Sequence, residues 1–272
     1  MAKADIWDPG AYLRWAYPRM RAVLDLLSHI DQDAPRVVVD LGCGPGNTTE
    51  LMSDRWPDAL VIGIDNSPSM IEAARPRRRP GRLEFRQGDL RDWQPDEPAD
   101  VILANAVLQF YADHLDLLPR WAGFLAPEGE LGVQMPGAPP HPLGDSLMDL
   151  AQALIETPAW RGKLSGSLQN MNVYAVADYL TVLAGAGLVA EAWESEYSYP
   201  LSGPGSLVQY AAGSIVRPAL SLLTEEEVAR FLADYGESLR AHHPPRVIGG
   251  KQIEFLRQHR VFAVGRRPPE AA

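Results

Sequence analysis

The chain has 272 residues, 46% of them hydrophobic, and a formal net charge of −10. That length and apolar share suffice for a full core, as one enlarged domain or a core with a cap, while the acidic balance disfavours a general partnership with nucleic acid or a membrane surface. The single cysteine, Cys43, excludes an intrachain disulfide framework and points to a cytoplasmic compartment; no stretch reads as a signal core or reaches the ~18 apolar residues of a membrane span.

In chain order, residues 12 to 30 place Trp15, Met20, Val23, Leu26, Leu27 and Ile30 at helical spacing. The run from Arg36 to Leu41 reads as a first strand, with a helix from about Asn47. Leu60 to Asp65 is a second buried strand, after which Ser67-Pro68 starts a helix with a cap and an N1 proline. Leu83 to Gln87 and Asp100 to Ala104 read as strands three and four, and a helix is predicted over Asp113 to Leu125. Pro127-Glu128-Gly129 turns the chain into a fifth strand, Glu130 to Met135. This alternation implies a parallel sheet with right-handed crossovers.

Beyond Met135 the rhythm breaks in a loop holding Pro136, Pro139, Pro140 and Pro142. Helices are predicted over Leu147 to Glu156, Val173 to Ala186, Ser206 to Val216 and Thr224 to Ala241, with strands near Val189 to Tyr199 and Ile253 to Val264. The late strand pair predicts that the sheet finishes as a hairpin around a helical insertion. The resulting layout is an N-terminal helical cap segment (1–32), a cofactor-binding core (33–136), a cap or loop insertion (137–172), a core helix and strand (173–199), a helical cap insertion acting as part of a lid (200–250), and the last core strand with its tail (251–272).

The most informative run is Val37 to Thr49, Val-Val-Val-Asp-Leu-Gly-Cys-Gly-Pro-Gly-Asn-Thr-Thr. A strand drives into Asp40 and breaks into Gly42, Gly44 and Gly46, where bare peptide lets a ligand approach. A dinucleotide fingerprint needs its third glycine at position 47, which is Asn47. The G-x-G-x-G pattern behind an acid resembles the first motif of class I methyltransferases that use S-adenosylmethionine. Acids then close successive strands on the same sheet edge. Asp65 can accept both ribose hydroxyls, and Asp89 can accept from the adenine amino group while Leu90 offers its backbone amide to a ring nitrogen; a plain loop cap is the alternative for Asp89. Asp40 orients the glycine loop and helps hold the cofactor's ammonium, and Asn105 and Gln109 line the reaction cleft. Cys43 is read as a small packing residue of the glycine turn.

From end to end the chain resembles the trans-aconitate methyltransferase family. The likeness is carried by Trp7-Asp-Pro-Gly-Ala-Tyr12-Leu, Asp40-Leu-Gly-Cys-Gly-Pro-Gly-Asn47, Arg55-Trp-Pro57, Gly63-Ile-Asp65-Asn-Ser-Pro-Ser-Met70-Ile, Asp92-Trp-Gln-Pro95, Ala104-Asn-Ala-Val-Leu-Gln109, Val133-Gln-Met-Pro136, Ala184 to Glu194 and Arg260 to Arg267. The resemblance implies a Rossmann-like α/β fold, doubly wound, with a mostly parallel seven-stranded sheet and a helical cap. It also implies S-adenosylmethionine bound by Asp40, Gly42, Cys43, Gly44, Gly46, Asp65, Asn66, Met70, Asp89, Leu90, Asn105 and Gln109, and methyl transfer to a carboxylate of a small polycarboxylic acid. The departures fall at Gln109-Phe110-Tyr111, at Met135 to Pro140, at Gly162 to Met171 and at Gly213-Ser214 before Arg217-Pro218.

A carboxylate is ionised at neutral pH and needs no general base, unlike many phenols or amines. No His–Asp or Glu–His arrangement stands beside the acid-lined cleft; His114 is read as starting a surface helix, and no histidine spacing suggests a dedicated metal site. An anionic substrate of an acidic protein needs a local cation. The cluster Arg75, Arg77, Arg78, Arg79 and Arg82 reads as a solvated turn on the far edge. Arg217 is the first candidate, followed by Lys163, Arg246 and Lys251, with Tyr12 and Tyr197 as neutral donors. The alternatives are a methyltransferase of secondary metabolism with a phenol, amine or carbon nucleophile, and a cofactor-binding protein without turnover. No nucleic acid, membrane or metal partner is expected, and a monomer is favoured.

Overall fold

The computed structural model describes residues 16–137, 146–168 and 171–269. The expectations placed on Tyr12 and on Pro139, Pro140 and Pro142 lie outside those residues. Helix α1 (Ala16–Ser28) is followed by β1 (Val37–Leu41), α2 (Asn47–Arg55), β2 (Leu60–Asp65) and α3 (Pro68–Ala74). Then come β3 (Leu83–Gln87), β4 (Ala99–Asn105), α4 (His114–Ala122) and β5 (Leu125–Pro136). The later elements are α5 (Leu147–Ile155), α6 (Arg161–Leu164), α7 (Val176–Gly185) and β6 (Val189–Ser202), then α8 (Ser206–Ala212), α9 (Arg217–Leu220), α10 (Glu225–His242), β7 (Arg246–Ile248) and β8 (Lys251–Arg266).

The strands form one sheet in the order β3-β2-β1-β4-β5-β8-β6, with β7 paired to β8. β1 to β5 pair in parallel, and β8 runs antiparallel to β5 from Glu130↔Arg266 to Pro136↔Arg260. The sheet is therefore doubly wound and mostly parallel, but among the described residues it has eight strands where seven are expected from the sequence. The extra strand, β7, lies within the stretch read as helical insertion. Its signal is Gly249-Gly250, both at positive φ (56° and 75°), a two-residue turn that folds Val247 against Gln252. The expected Pro127–Gly129 turn sits inside β5: pairing jumps from Ala99↔Leu125 to Val101↔Glu130, and Glu128 adopts φ 60°. The late strands are neighbours as expected, and where they end Gly203 N–H donates to the Gln252 carbonyl at 3.3 Å.

Contacts divide the chain into two compact units. The sheet unit runs from Ala16 to Gly137, Met171 to Ser195 and His259 onward. On one face of its sheet Val39, Leu41, Ile102, Ala104, Val133, Met135, Val261 and Ala263 pack with Trp121, Tyr179 and Leu183. On the other face Leu26 and Ile30 meet Leu103 and Gly132, so α1, grouped with the cap in the sequence reading, packs on the sheet. The second unit, in its described part, comprises 146–168 and Glu196–Gln258. It has its own core around Leu150, Trp160, Tyr210, Phe231, Tyr235 and Leu256, and buried Glu254 accepts from Gly205 N, Ser206 Oγ and Leu207 N at the start of α8. Among the described residues no helix is long and apolar enough to cross a membrane.

Candidate cofactor site

The glycine turn leaves β1 and folds back on β2. Gly42 and Cys43 N–H both donate to the Ile64 carbonyl (2.8 and 3.0 Å), Gly44 N–H to Asp65 Oδ2 (2.8 Å), and Gly46 N–H to the Cys43 carbonyl (3.1 Å). A pyrophosphate loop keeps such N–H groups for its ligand; here they are engaged within the protein. The loop is thus suited to a ligand that lies against bare backbone without a diphosphate to neutralise.

The three glycines have different reasons to be there, although all have positive φ. A Cβ on Gly42 would come within 2.5 Å of Val107, and one on Gly46 within 2.7 Å of Phe85, so both are required by packing. A Cβ on Gly44 would meet nothing within 4 Å. Gly44 therefore bounds open space, as a seat for a ligand requires. Cys43 Sγ contributes no surface to it: the side chain is buried against Gly63, and burial pushes its thiol up.

Asp65 ties the loop to the next helix, since Oδ1 accepts from Ser67 N at 2.9 Å while Oδ2 accepts from Gly44. Each carboxylate oxygen retains acceptor capacity for a hydroxyl. Asp40 is 1% exposed and accepts from Thr49 Oγ1 at 2.7 Å. Burial is the main reason its carboxyl is pushed up to about 7, Thr49 opposing and Asp65 adding to the rise. It is poised between neutral and ionised, and a docked cation would favour the anion. Thr49, absent from the sequence reading, is what holds it.

A cavity at this edge is lined by Gly42, Ile64, Asp65, Asn66, Gly88, Leu90, Val107 and Tyr111. Its walls combine an acid with apolar groups, the mix of chemistry that a nucleoside calls for. Ile64, Gly88 and Val107 were not singled out from sequence, their signal being their place at or just beyond the carboxyl ends of β2, β3 and β4, and Tyr111 was noted only as a departure from the family pattern. Arg91 lies 4.6 Å over the Tyr111 ring and pairs with Asp113 at 3.0 Å, and burial pushes the Tyr111 hydroxyl up to about 12. Asp89 shapes the turn before Arg91, its Oδ1 accepting from Arg91 N at 2.9 Å. Met70 is buried within α3, its N–H bonded to Ser67 Oγ.

After β4 the chain passes through Ala106 at φ 55°, a strained position of the kind held at ligand sites. Asn105 Oδ1 and Gln109 Oε1 are buried acceptors without a hydrogen-bond partner, while Gln109 Nε2 donates to the Ala106 carbonyl at 2.8 Å. Unsatisfied buried acceptors at the carboxyl end of β4 suit a ligand's ammonium. Together with the open face at Gly44, they make this set of residues a fit for S-adenosylmethionine.

His114 departs from expectation. It does begin α4 but is fully buried: Nδ1 contacts the Tyr111 carbonyl at 2.8 Å and Nε2 the Tyr179 hydroxyl at 2.9 Å. Burial lowers its pKa. Tyr179, which stacks on it and bonds Nε2, comes from α7, 65 residues away in the chain, where no local pattern could reveal it. The arginine cluster is likewise more than a solvated turn. Arg77 binds Glu50 and the Pro45 carbonyl, Arg79 binds Asp54 (2.6 Å), and Arg82 binds the Ser53 carbonyl (3.2 Å), fastening α2 and the loop before it.

The substrate candidates belong to the second unit. Lys163 Nζ is held by both carboxylate oxygens of Glu227 at 2.6 Å, which lowers Glu227 to about 2. Arg217 opens α9 ahead of Pro218 and is partly buried. Tyr197 stacks on Tyr199 at 6.3 Å, Arg246 lies over Phe255, and Lys251 is exposed at the β7–β8 turn. Among the described residues no group of three His, Cys, Asp or Glu could hold a metal ion.

Open parallel sheet, ligand edge and glycine loop together define a class I methyltransferase. The methyltransferase domain family matches residues 38–129, and S-adenosylmethionine is the cofactor of this enzyme class. The YcgJ protein of Bacillus subtilis shares the fold, with a TM-score of 0.58 at 15% identity over 92% of this chain and 99% of that one. A trans-aconitate 2-methyltransferase of Streptomyces coelicolor is 41% identical over 98% of this chain and 88% of its own, and one of a Mycobacterium strain is 40% identical over 96% and 99%. The chain belongs to the trans-aconitate 2-methyltransferase family.

Proposed function

We propose that the enzyme methylates a carboxylate of trans-aconitate or a closely similar small polycarboxylic acid, giving a monomethyl ester. The reading is supported by likeness to enzymes of that name over nearly the whole chain and by one observation at the site. The histidine nearest the cleft in sequence, His114, has both ring nitrogens engaged in a buried network, so it is not available to take a proton from an acceptor. A carboxylate releases no proton when it is alkylated, which fits a site without a free base.

When bound, S-adenosylmethionine supplies a methyl group already activated on a sulfonium, which departs as a neutral thioether. The chain's own contribution is alignment. Asp65 would accept the ribose hydroxyls, Leu90, Val107 and Tyr111 would enclose the base with Asp89 beside it, and Asn105, Gln109 and Asp40 would accept from the ammonium. An acceptor carboxylate oxygen aligned with the sulfonium methyl would form the O–C bond as the S–C bond breaks, its pair of electrons going to the sulfur. Arg217 and Tyr197, with Tyr12, are proposed to serve the acid; Lys163, neutralised by Glu227, is left out. A cytoplasmic monomer with no nucleic-acid partner accords with the single buried thiol and the acidic balance.

The test is incubation of the purified protein with labelled methyl donor and a panel of di- and tricarboxylates, with catechol and amine acceptors as controls and mass spectrometry of the product. A monomethyl ester of trans-aconitate is expected. Label appearing only on a phenol or an amine would defeat the proposal.

A further inference from the structure

We infer a seat for a substrate carboxylate built by Gln134 and Arg260, an inference that rests on the acid-methylating function proposed above. The cofactor residues occupy the ends of β3, β2, β1 and β4, which are consecutive in the sheet. The same sheet edge continues from β4 onto β5 and β8, which leaves it open to an acceptor placed beyond the cofactor residues.

Register places the relevant side chains on one face. Asp40 pairs with Leu103, Asn105 with Gln134, Gln134 with Phe262, and Pro136 with Arg260. Residues paired across a ladder, and those two apart along a strand, share a face. Asp40, Asn105, Gln134 and Arg260 therefore line one face of the sheet, while Val133, Met135, Val261 and Ala263 belong to the core on the other. Gln134 and Arg260 are diagonal neighbours across β5 and β8, a spacing of about 7–8 Å that long side chains can bridge.

The polar atoms along this face sort by sign. Beside the methyl donor, Asn105 Oδ1 and Gln109 Oε1 are buried acceptors without a partner, complementary to an ammonium. One strand over, the unsatisfied atom of Gln134 is its donor, Nε2, on a residue 1% exposed. Arg260, 4% exposed, adds a guanidinium that is all donor and permanently charged. Arg260 already has an interaction within the protein, but its five-donor fork can serve a further acceptor, and with the unsatisfied Gln134 N–H one diagonal away in register it suits an anion with two oxygens. Neither residue was singled out by charge clustering, because each is isolated in sequence and only the β5–β8 pairing brings them together.

The experiment is calorimetric titration of trans-aconitate into the full-length protein saturated with S-adenosylhomocysteine, for wild type, Arg260→Met and Gln134→Met. Arg260→Met should weaken trans-aconitate binding on the order of 10- to 100-fold and Gln134→Met about tenfold, as expected for charge-assisted contacts. Affinity for S-adenosylhomocysteine, measured alone, should stay within about twofold because the two ligands use different donors. If Arg260→Met does not fold, Gln134→Met decides by itself. Unchanged trans-aconitate affinity overturns the seat, and so does a matching loss of S-adenosylhomocysteine affinity, which would assign the pair to the cofactor's own carboxylate. If trans-aconitate binds with these losses yet is not methylated, the seat stands and the proposed reaction fails.

Discussion

Replacing Gly44 by valine separates ligand binding from folding. The new Cβ would meet no heavy atom within 4 Å, so the fold bears mainly a backbone cost. Gly44 has φ 54°, left-handed territory that costs an L-residue about 1–2 kcal/mol. For a chain of this size that lowers the melting temperature by about 2–8 °C, leaving a folded protein at 25 °C. The added methyl groups fill the space where the ligand backbone must lie, so affinity for S-adenosylhomocysteine should fall by two orders of magnitude or more, as overlap with a rigid wall cannot relax. Gly42→Ala and Gly46→Ala should behave oppositely. Their Cβ atoms would sit 2.5 Å from Val107 and 2.7 Å from Phe85, and overpacking adds about 1–3 kcal/mol to the backbone cost. The assay pairs thermal unfolding with calorimetric titration of S-adenosylhomocysteine. A Gly44→Val protein that binds within about threefold of wild type would refute the assignment of Gly44 as the open face of the site.

Asp65→Ala should lose both affinity and stability, since its carboxylate also accepts from Gly44 and Ser67 N–H; about 1–3 kcal/mol of destabilisation is expected by chemical denaturation, and an unchanged midpoint would contradict the bracing role. Asp40, raised to about 7 by burial, contributes stability that is full below its unfolded pKa and lost as pH rises through about 7. Asp40→Asn should remove that decline, gaining on wild type from pH 5 to pH 8; parallel stability curves would show that Asp40 does not titrate there. His114 has the opposite sign: its folded pKa is lowered, so its contribution is full above the unfolded value near ~6.5 and is lost as pH falls from there toward the folded pKa. Tyr179→Phe, which strips Nε2 of its 2.9 Å partner, should cost about 1–3 kcal/mol, and equal stability of variant and wild type would place a water or another group in that role. Arg217→Met should raise KM for trans-aconitate with little change in S-adenosylmethionine affinity; equal losses for charged and neutral acceptors would mean that Arg217 only shapes its helix.

The sequence alone determined the fold class and the family and pointed to the edge proposed for the cofactor, because these rest on local signals. Strand runs broken by Gly42, Gly44 and Gly46 and closed by Asp65 mark each turn within a few residues of chain, and β/α alternation sets the winding. Even β7 had its signal in Gly249-Gly250, which the sequence reading passed over when it took 200–250 as a helical insertion. Tertiary structure decided what each residue is for. The reasons for Gly42 and Gly46 lie in Val107 and Phe85, far along the chain, whereas Gly44 is defined by the lack of any such neighbour. His114 and Tyr179 meet across 65 residues, and the antiparallel pairing of β5 with β8 puts Gln134 and Arg260 on one face, one diagonal apart in register. Burial, partner choice and pKa depend on those long-range contacts, and one-dimensional spacing does not encode which distant side chain will cover a given group.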